Sequence, residues 1–223
     1  MWQLYHFPLC PFSRKVQLAL GEKKLGYELH TLYPWDADES FLRLNPAGRV
    51  PVLYDPEKKR VLIDSGAICE YLDDTDTQPP LIVGSALARA EIRRLVAFFE
   101  ETFWGEVSGP LMHEKMKKRL FLKQSPDSRT LRDATRMLHE HLDYIDWLID
   151  NRRWLAGSQL SLADFAAAAQ LSVVDYLDGI DWSDHASAHG WYRVMKSRPS
   201  FAPLLRQKMT GLPPPKHYAD VNA

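Results

Sequence analysis

Apolar and polar positions follow two different rhythms along this chain. Up to about residue 80 the apolar runs are short and broken by turn formers. Residues 2–7 form an aromatic-rich strand candidate, stopped by Pro8. Val16, Leu18, Ala19 and Leu20 suit a short helix over residues 13–20, which Gly21 or Gly26 would end. Residues 27–32 read as a second strand. The cluster Asn45-Pro46-Ala47-Gly48 is a turn, followed by a strand over 50–54. Residues 55–59 then make a hairpin turn into a strand at 61–63. Ser65 caps a helix through Leu72, with Ala67, Ile68, Tyr71 and Leu72 on its buried face. The predicted order is β-α-β, a turn-rich stretch, then β-β-α.

Beyond Pro79-Pro80 the pattern becomes helical. Leu87, Ala90, Leu95, Phe98, Phe99 and Phe103 recur at three- and four-residue spacing, as do Leu131, Ala134, Leu138, Leu142, Ile145 and Ile149. Ser161-Leu162-Ala163-Asp164 has the form of a capping box opening a very apolar helix through Tyr176, which belongs at the centre of a helical core. The change of texture divides the chain into an α/β domain over 1–80 and an all-helical domain over 81–223 that ends in a basic, extended tail.

Composition narrows the function classes. The 223 residues carry 28 basic and 29 acidic side chains, which argues against a nucleic-acid binder driven by global positive charge. No run of 18 apolar residues offers a membrane span, and the start of the chain lacks the basic-then-apolar order of a signal peptide. Two cysteines, Cys10 and Cys69, make no disulfide framework, so a reducing cytoplasm is the expected compartment. Charge is unevenly spread: residues 185–219 contain no acid. They contain Arg193, Lys196, Arg198, Arg206, Lys208 and Lys216, with His185, His189 and His217. Such a stretch is either a basic face for an acidic partner or a surface neutralised by acids elsewhere in the fold.

The chemistry concentrates near Cys10. It lies between the first strand and the first helix, where unpaired N–H groups and the helix dipole favour a thiolate. Arg14 and Lys15 would add positive potential, and Ser13 could donate to the sulfur, so a lowered thiol pKa is expected. The plainer alternative is a half-buried cysteine packed as a small hydrophobe. Downstream, a cis Val50-Pro51 bond would turn backbone groups outward for an extended ligand to pair with. Asp64 and Ser65 at a helix start suit a carboxylate. A sulfur, a backbone-pairing edge and a carboxylate cradle are the parts of a glutathione site.

These motifs, with Asn45-Pro46 and Trp154-Leu155-Ala156-Gly157 ahead of the Ser161–Asp164 box, resemble the cytosolic glutathione transferases over essentially the whole chain. The resemblance implies a thioredoxin-like N-terminal domain followed by a helical C-terminal domain, usually as a symmetric homodimer. It implies that Cys10 is the thiol of a cysteine-type enzyme. Val50 would pair with the cysteinyl backbone of glutathione, and Asp64 and Ser65 would hold its γ-glutamyl end. Asp64 is one methylene shorter than the more usual Glu or Gln.

A narrower resemblance competes with the enzyme. Residues 4–9, 113–120, 160–176 and 217–220 are similar to a group of alphaproteobacterial transferase-fold proteins that bind filaments of the division GTPase FtsZ. That likeness implies an adaptor without catalysis. Trp35, Arg193, Lys196, Arg198, Arg206, Lys208, Lys216, His217 and Tyr218 are its candidate partner contacts. The ending Val221-Asn222-Ala223 departs from the more acidic, aromatic tail of that group. The alternative is glutathione-dependent transfer or thiol reduction through Cys10. His139 and His141 read as too isolated from carboxylate or cysteine pairs for a metal, and none is expected. Cys69 reads as packed and inert, and the cluster Phe98, Phe99, Phe103, Trp104 as core or dimer contact.

Overall fold

A computed structural model describes residues 1–33, 38–75 and 78–221. The first half runs β1 (Trp2–His6), α1 (Pro11–Glu22), β2 (Tyr27–Thr31), α2 (Glu39–Leu44), β3 (Val52–Asp55), β4 (Arg60–Ile63) and α3 (Ser65–Thr75). The sheet order is β2-β1-β3-β4. β1 and β2 are parallel, and the other two pairs are antiparallel, with Leu4 opposite Leu53 and Leu53 opposite Leu62. This is the thioredoxin-like arrangement expected from the motifs.

The helical half comprises α4 (Ala86–Ala97), π-type turns at Phe98–Ser108, α5 (Gly109–Met112), further π-type turns at His113–Leu122, α6 (Ser128–Asn151), α7 (Leu162–Tyr176), α8 (Ala186–Lys196), α9 (Ala202–Arg206) and a closing 3₁₀ turn at Lys216–Ala219. The wide turns of Phe98–Ser108 lead directly to Pro110, which has no N–H to offer the preceding turn. Gly109 is needed there, because a Cβ would stand 2.8 Å from the Trp104 carbonyl oxygen.

Every residue of α7 is buried. It packs against α1 of the sheet half as well as α4 and the Phe98–Ser108 turns, so one core spans both halves. The first turn of α7 is held by Asp164, whose carboxylate accepts from the Ser161 amide (3.0 Å), the Leu155 amide (3.0 Å) and the Trp191 indole (3.0 Å). Four donors surround it once the Ser161 hydroxyl at 3.1 Å is counted, yet burial still pushes this acid up to about 6.

Two expectations change. The stretch before Asn45 contains a helix, α2, capped by Asp38 accepting from the Phe41 amide at 2.8 Å. Only Phe41 of α2 is buried, too little apolar periodicity to mark a helix in the sequence. α1 begins at Pro11, with Cys10 at its N-cap, because proline suits the first helical position.

Candidate functional site

Cys10 is half-buried, and its Sγ lies 3.8 Å from the Val50 carbonyl oxygen. Burial pushes its thiol up, not down. The Ser13 side chain and the Ser13 and Phe12 amides favour the thiolate without offsetting desolvation, and the Glu100 carboxylate opposes it further. Ser13 is close enough to bias the sulfur, and its buried hydroxyl finds no other partner among the described residues.

The two cations expected to activate Cys10 are engaged elsewhere. Arg14 donates through Nε to the Pro8 carbonyl (2.7 Å) and through Nη1 to Ser172 Oγ (2.8 Å) and Tyr218 Oη (3.0 Å). Lys15 Nζ pairs with Glu100 at 2.7 Å and has no exposed side-chain surface. Helical periodicity turns both residues inward, onto the second half of the chain.

A cavity of about 320 Å³ is lined by Phe12, Asn45, Ala47, Arg49, Val50, Pro51, Ile63, Asp64 and Ser65, and Cys10 touches its wall through the Val50 carbonyl without lining it itself. Asn45 shapes its rim: Nδ2 donates to the Arg49 carbonyl (2.7 Å), and Oδ1 accepts from the Ala47 amide (3.1 Å). The Val50-Pro51 peptide is cis. Asp64 sits in the left-handed region at φ 77° and caps α3, with Oδ1 accepting from the Gly66 (2.8 Å) and Ala67 (3.2 Å) amides. Ser65 Oγ donates to Glu100 Oε1 at 2.9 Å. Val50, Pro51, Asp64 and Ser65 are thus brought together. Glu100 joins them from the helical half. Its one sequence signal is an acid on the face of an aromatic-rich helix.

The other candidates divide. Arg193, Arg206, Lys208 and Lys216 are exposed. Lys196 is buried and paired with Asp175 at 3.3 Å, so it offers no charge to a partner. Tyr218 is fully buried against Arg14 and Tyr176. Arg198 is held to Glu22, whose Oε2 also accepts from Ser200 Oγ. His217 is partly exposed and lies 3.3 Å from Asp175. The acid-free stretch is therefore neutralised in part by acids from other elements. Its end is no free tail: Tyr176 Oη donates to the Leu212 carbonyl and accepts from the Met209 amide. Trp35 lies outside the described residues.

The histidines are less isolated than their sequence spacing suggests. His141 Nε2 meets Glu106 at 2.8 Å, and His139 Nδ1 meets His185 Nε2 at 2.9 Å. Asp143, Asp146 and His185 place ligand atoms within 4.8 Å of one another and could hold an ion. Asp146 also accepts from the Ala188 amide at 2.7 Å, so the same contacts serve to tie the start of α8 to α6.

A thioredoxin-like sheet, a cis-proline cavity beside an N-cap cysteine and an α7-centred helical half define a glutathione-transferase fold. Residues 4–80 match the glutathione S-transferase N-terminal domain and residues 109–199 the C-terminal domain, so the chain belongs to that family. It is 46% identical over 222 residues to FtsZ-localized protein A of Caulobacter vibrioides, covering 98% of this chain and 97% of that one. Among solved structures it resembles a glutathione S-transferase from Rhodospirillum rubrum F11, with TM-score 0.97 and 48% identity over the whole of both chains. It also resembles FzlA from C. crescentus, with TM-score 0.96 and 45% identity over 100% of this chain and 99% of that one. No described helix is long and apolar enough to cross a membrane.

Proposed function

We propose that this chain is an adaptor that binds FtsZ filaments in bacterial cell division without catalysis. It would act as a cytoplasmic homodimer, with residues 1–80 and 81–223 as its two domains. The identity to FtsZ-localized protein A along nearly the full length carries this reading. The raised thiol pKa of Cys10 supports it, since thiolate is the nucleophile a cysteine-type transferase needs. The partner surface is assigned to the exposed cations Arg193, Arg206, Lys208 and Lys216 together with His217, and Trp35 is a further candidate contact. Co-sedimentation with FtsZ filaments tests it: the wild-type chain and Cys10→Ser should pellet equally. A wild-type chain that stays in the supernatant removes the reading.

One observation favours a second reading. Val50, Pro51, Asp64 and Ser65 surround a single cavity next to Cys10, as glutathione binding requires. In this reading Val50 pairs with the cysteinyl backbone, and Cys10, with Ser13 beside it, is the thiol. Calorimetric titration with glutathione is its test.

A further inference from the structure

At the start of α3 a bound carboxylate would look for the Ser65 hydroxyl and the first free amides of the helix. The chain's own carboxylates hold these donors. Asp64 takes the Gly66 and Ala67 amides, and Glu100, reaching across from the helical half, takes the Ser65 hydroxyl. Of the cradle, the Ser65 amide is what remains.

Charge points the same way. Two carboxylates, Asp64 and Glu100, stand here against one ammonium, Lys15, which is sealed from solvent and already paired with Glu100. At the α3 end a third carboxylate would meet two carboxylates against one sealed ammonium and be repelled, whereas an ammonium would be attracted. Arg49, exposed on the lining of the same cavity, supplies a cation for a carboxylate elsewhere on a ligand.

We propose that Glu100 sets the ligand specificity of this cavity. By holding Ser65 from within, it selects an extended thiol peptide that bears a lone ammonium at the α3 end and lacks a carboxylate there. The inference rests on the second reading above, that the cavity takes a glutathione-like molecule.

The test is calorimetric titration of the full chain with glutathione and with γ-aminobutyryl-cysteinyl-glycine, the same molecule without the carboxylate beside its amine. The wild-type protein should prefer the second by about tenfold, the scale of one unpaired charged group. Glu100→Gln removes the charge that repels the carboxylate and attracts the ammonium, so glutathione affinity relative to that of the analogue should rise by about tenfold. Should the lone Lys15 charge prevent Glu100→Gln from folding, the double variant Lys15→Met/Glu100→Ala removes the buried pair together and frees the Ser65 hydroxyl, and the same relative gain for glutathione is expected. Ser65→Ala gives an independent check: because Glu100 already occupies the hydroxyl, wild-type affinity for glutathione should hardly change, and a loss of about tenfold would show that Ser65 holds the ligand's carboxylate and overturn the role of Glu100. Equal wild-type affinity for both ligands overturns the role of Glu100 while leaving a glutathione site standing. Binding of neither ligand by wild type or variants overturns the glutathione-site reading and this inference with it.

Discussion

Arg14 Nη1 donates to the Tyr218 hydroxyl at 3.0 Å, fastening the first helix of the sheet half to the last turn of the described chain. Both side chains are fully buried, and the same Arg14 nitrogen reaches Ser172 on α7. Among the described residues Arg14 Nη2 already lacks a partner, so losing another acceptor leaves this guanidinium poorly satisfied. Tyr218→Phe should therefore cost about 1–3 kcal/mol, the penalty of a buried donor to a charged group left unmatched. Urea unfolding should show a lower midpoint with an unchanged slope. A midpoint equal to wild type would mean that the last turn is not part of the cooperative fold. Truncation after Gly211 should destabilise more, since it also removes Leu212 from Tyr176. Any loss of partner binding on truncation must be read against that loss of stability.

Cys10 is expected to alkylate as an unactivated thiol. Burial raises its pKa, and the cations nearest in sequence serve other acceptors. In a Cys69→Ser background, the midpoint of alkylation rate against pH should fall at or above the free-thiol value of about 8.5. Cys69 itself, pushed up to about 12 by burial, should react only on unfolding. A Cys10 midpoint near neutral pH would show that the Phe12 and Ser13 amides outweigh desolvation, and would restore the thiol-reductase alternative.

The parts of the fold that announce themselves in sequence are those with local signals. The alternation in β1, the turn before β3 and the Ser161–Asp164 start of α7 are each written in neighbouring residues. The four cavity residues Val50, Pro51, Asp64 and Ser65 follow from motif order. What stays hidden is long-range pairing. Lys15 with Glu100, Lys196 with Asp175 and Arg198 with Glu22 are joined only by packing α1, α7, α8 and the Phe98–Ser108 turns together. A composition count sees six cations in residues 185–219 and cannot see which of them the fold consumes. The same blindness made Arg14 and Lys15 look like activators of Cys10.

His6 gives the protein an acid-side dependence of stability. The ring is buried, with Nδ1 3.5 Å from Gln17 Nε2 and Nε2 3.3 Å from Thr31 Oγ1. Desolvation first, then the Arg14 charge, lower its pKa from 6.5 to about 4. Between those values the unfolded chain binds the proton and the folded one does not. Stability contributed here is thus complete above the unfolded pKa and lost as pH falls from 6.5 towards 4, by at most about 3 kcal/mol. Urea midpoints measured across that window should fall less steeply for His6→Gln than for wild type. Parallel slopes would mean that His6 is protonated in the folded state as well.

Charge reversal separates the cations that face a partner from those that hold the fold. Arg193, Arg206 and Lys208 are exposed, so Arg193→Glu or Arg206→Glu should change stability by under about 1 kcal/mol. Either should weaken FtsZ co-sedimentation, and added salt should weaken wild-type binding in the same direction, because exposed charges are screened over about 8 Å at physiological ionic strength. Lys196→Glu should behave differently. It places a second carboxylate against the buried Asp175, which also accepts from Tyr192 Oη at 3.0 Å. Breaking a buried pair in this way costs about 3–5 kcal/mol, so this variant should unfold at far lower urea. Arg198→Glu stands between the two, repelling the part-buried Glu22 across the junction of α1 and the segment after α8. Unfolding and co-sedimentation measured on the same four variants give the discriminating pattern: the exposed pair loses binding at constant stability, and the paired residues lose stability first. If Arg193→Glu and Arg206→Glu both pellet with filaments as the wild type does, this basic face is a solvated surface, and FtsZ must be met elsewhere on the molecule.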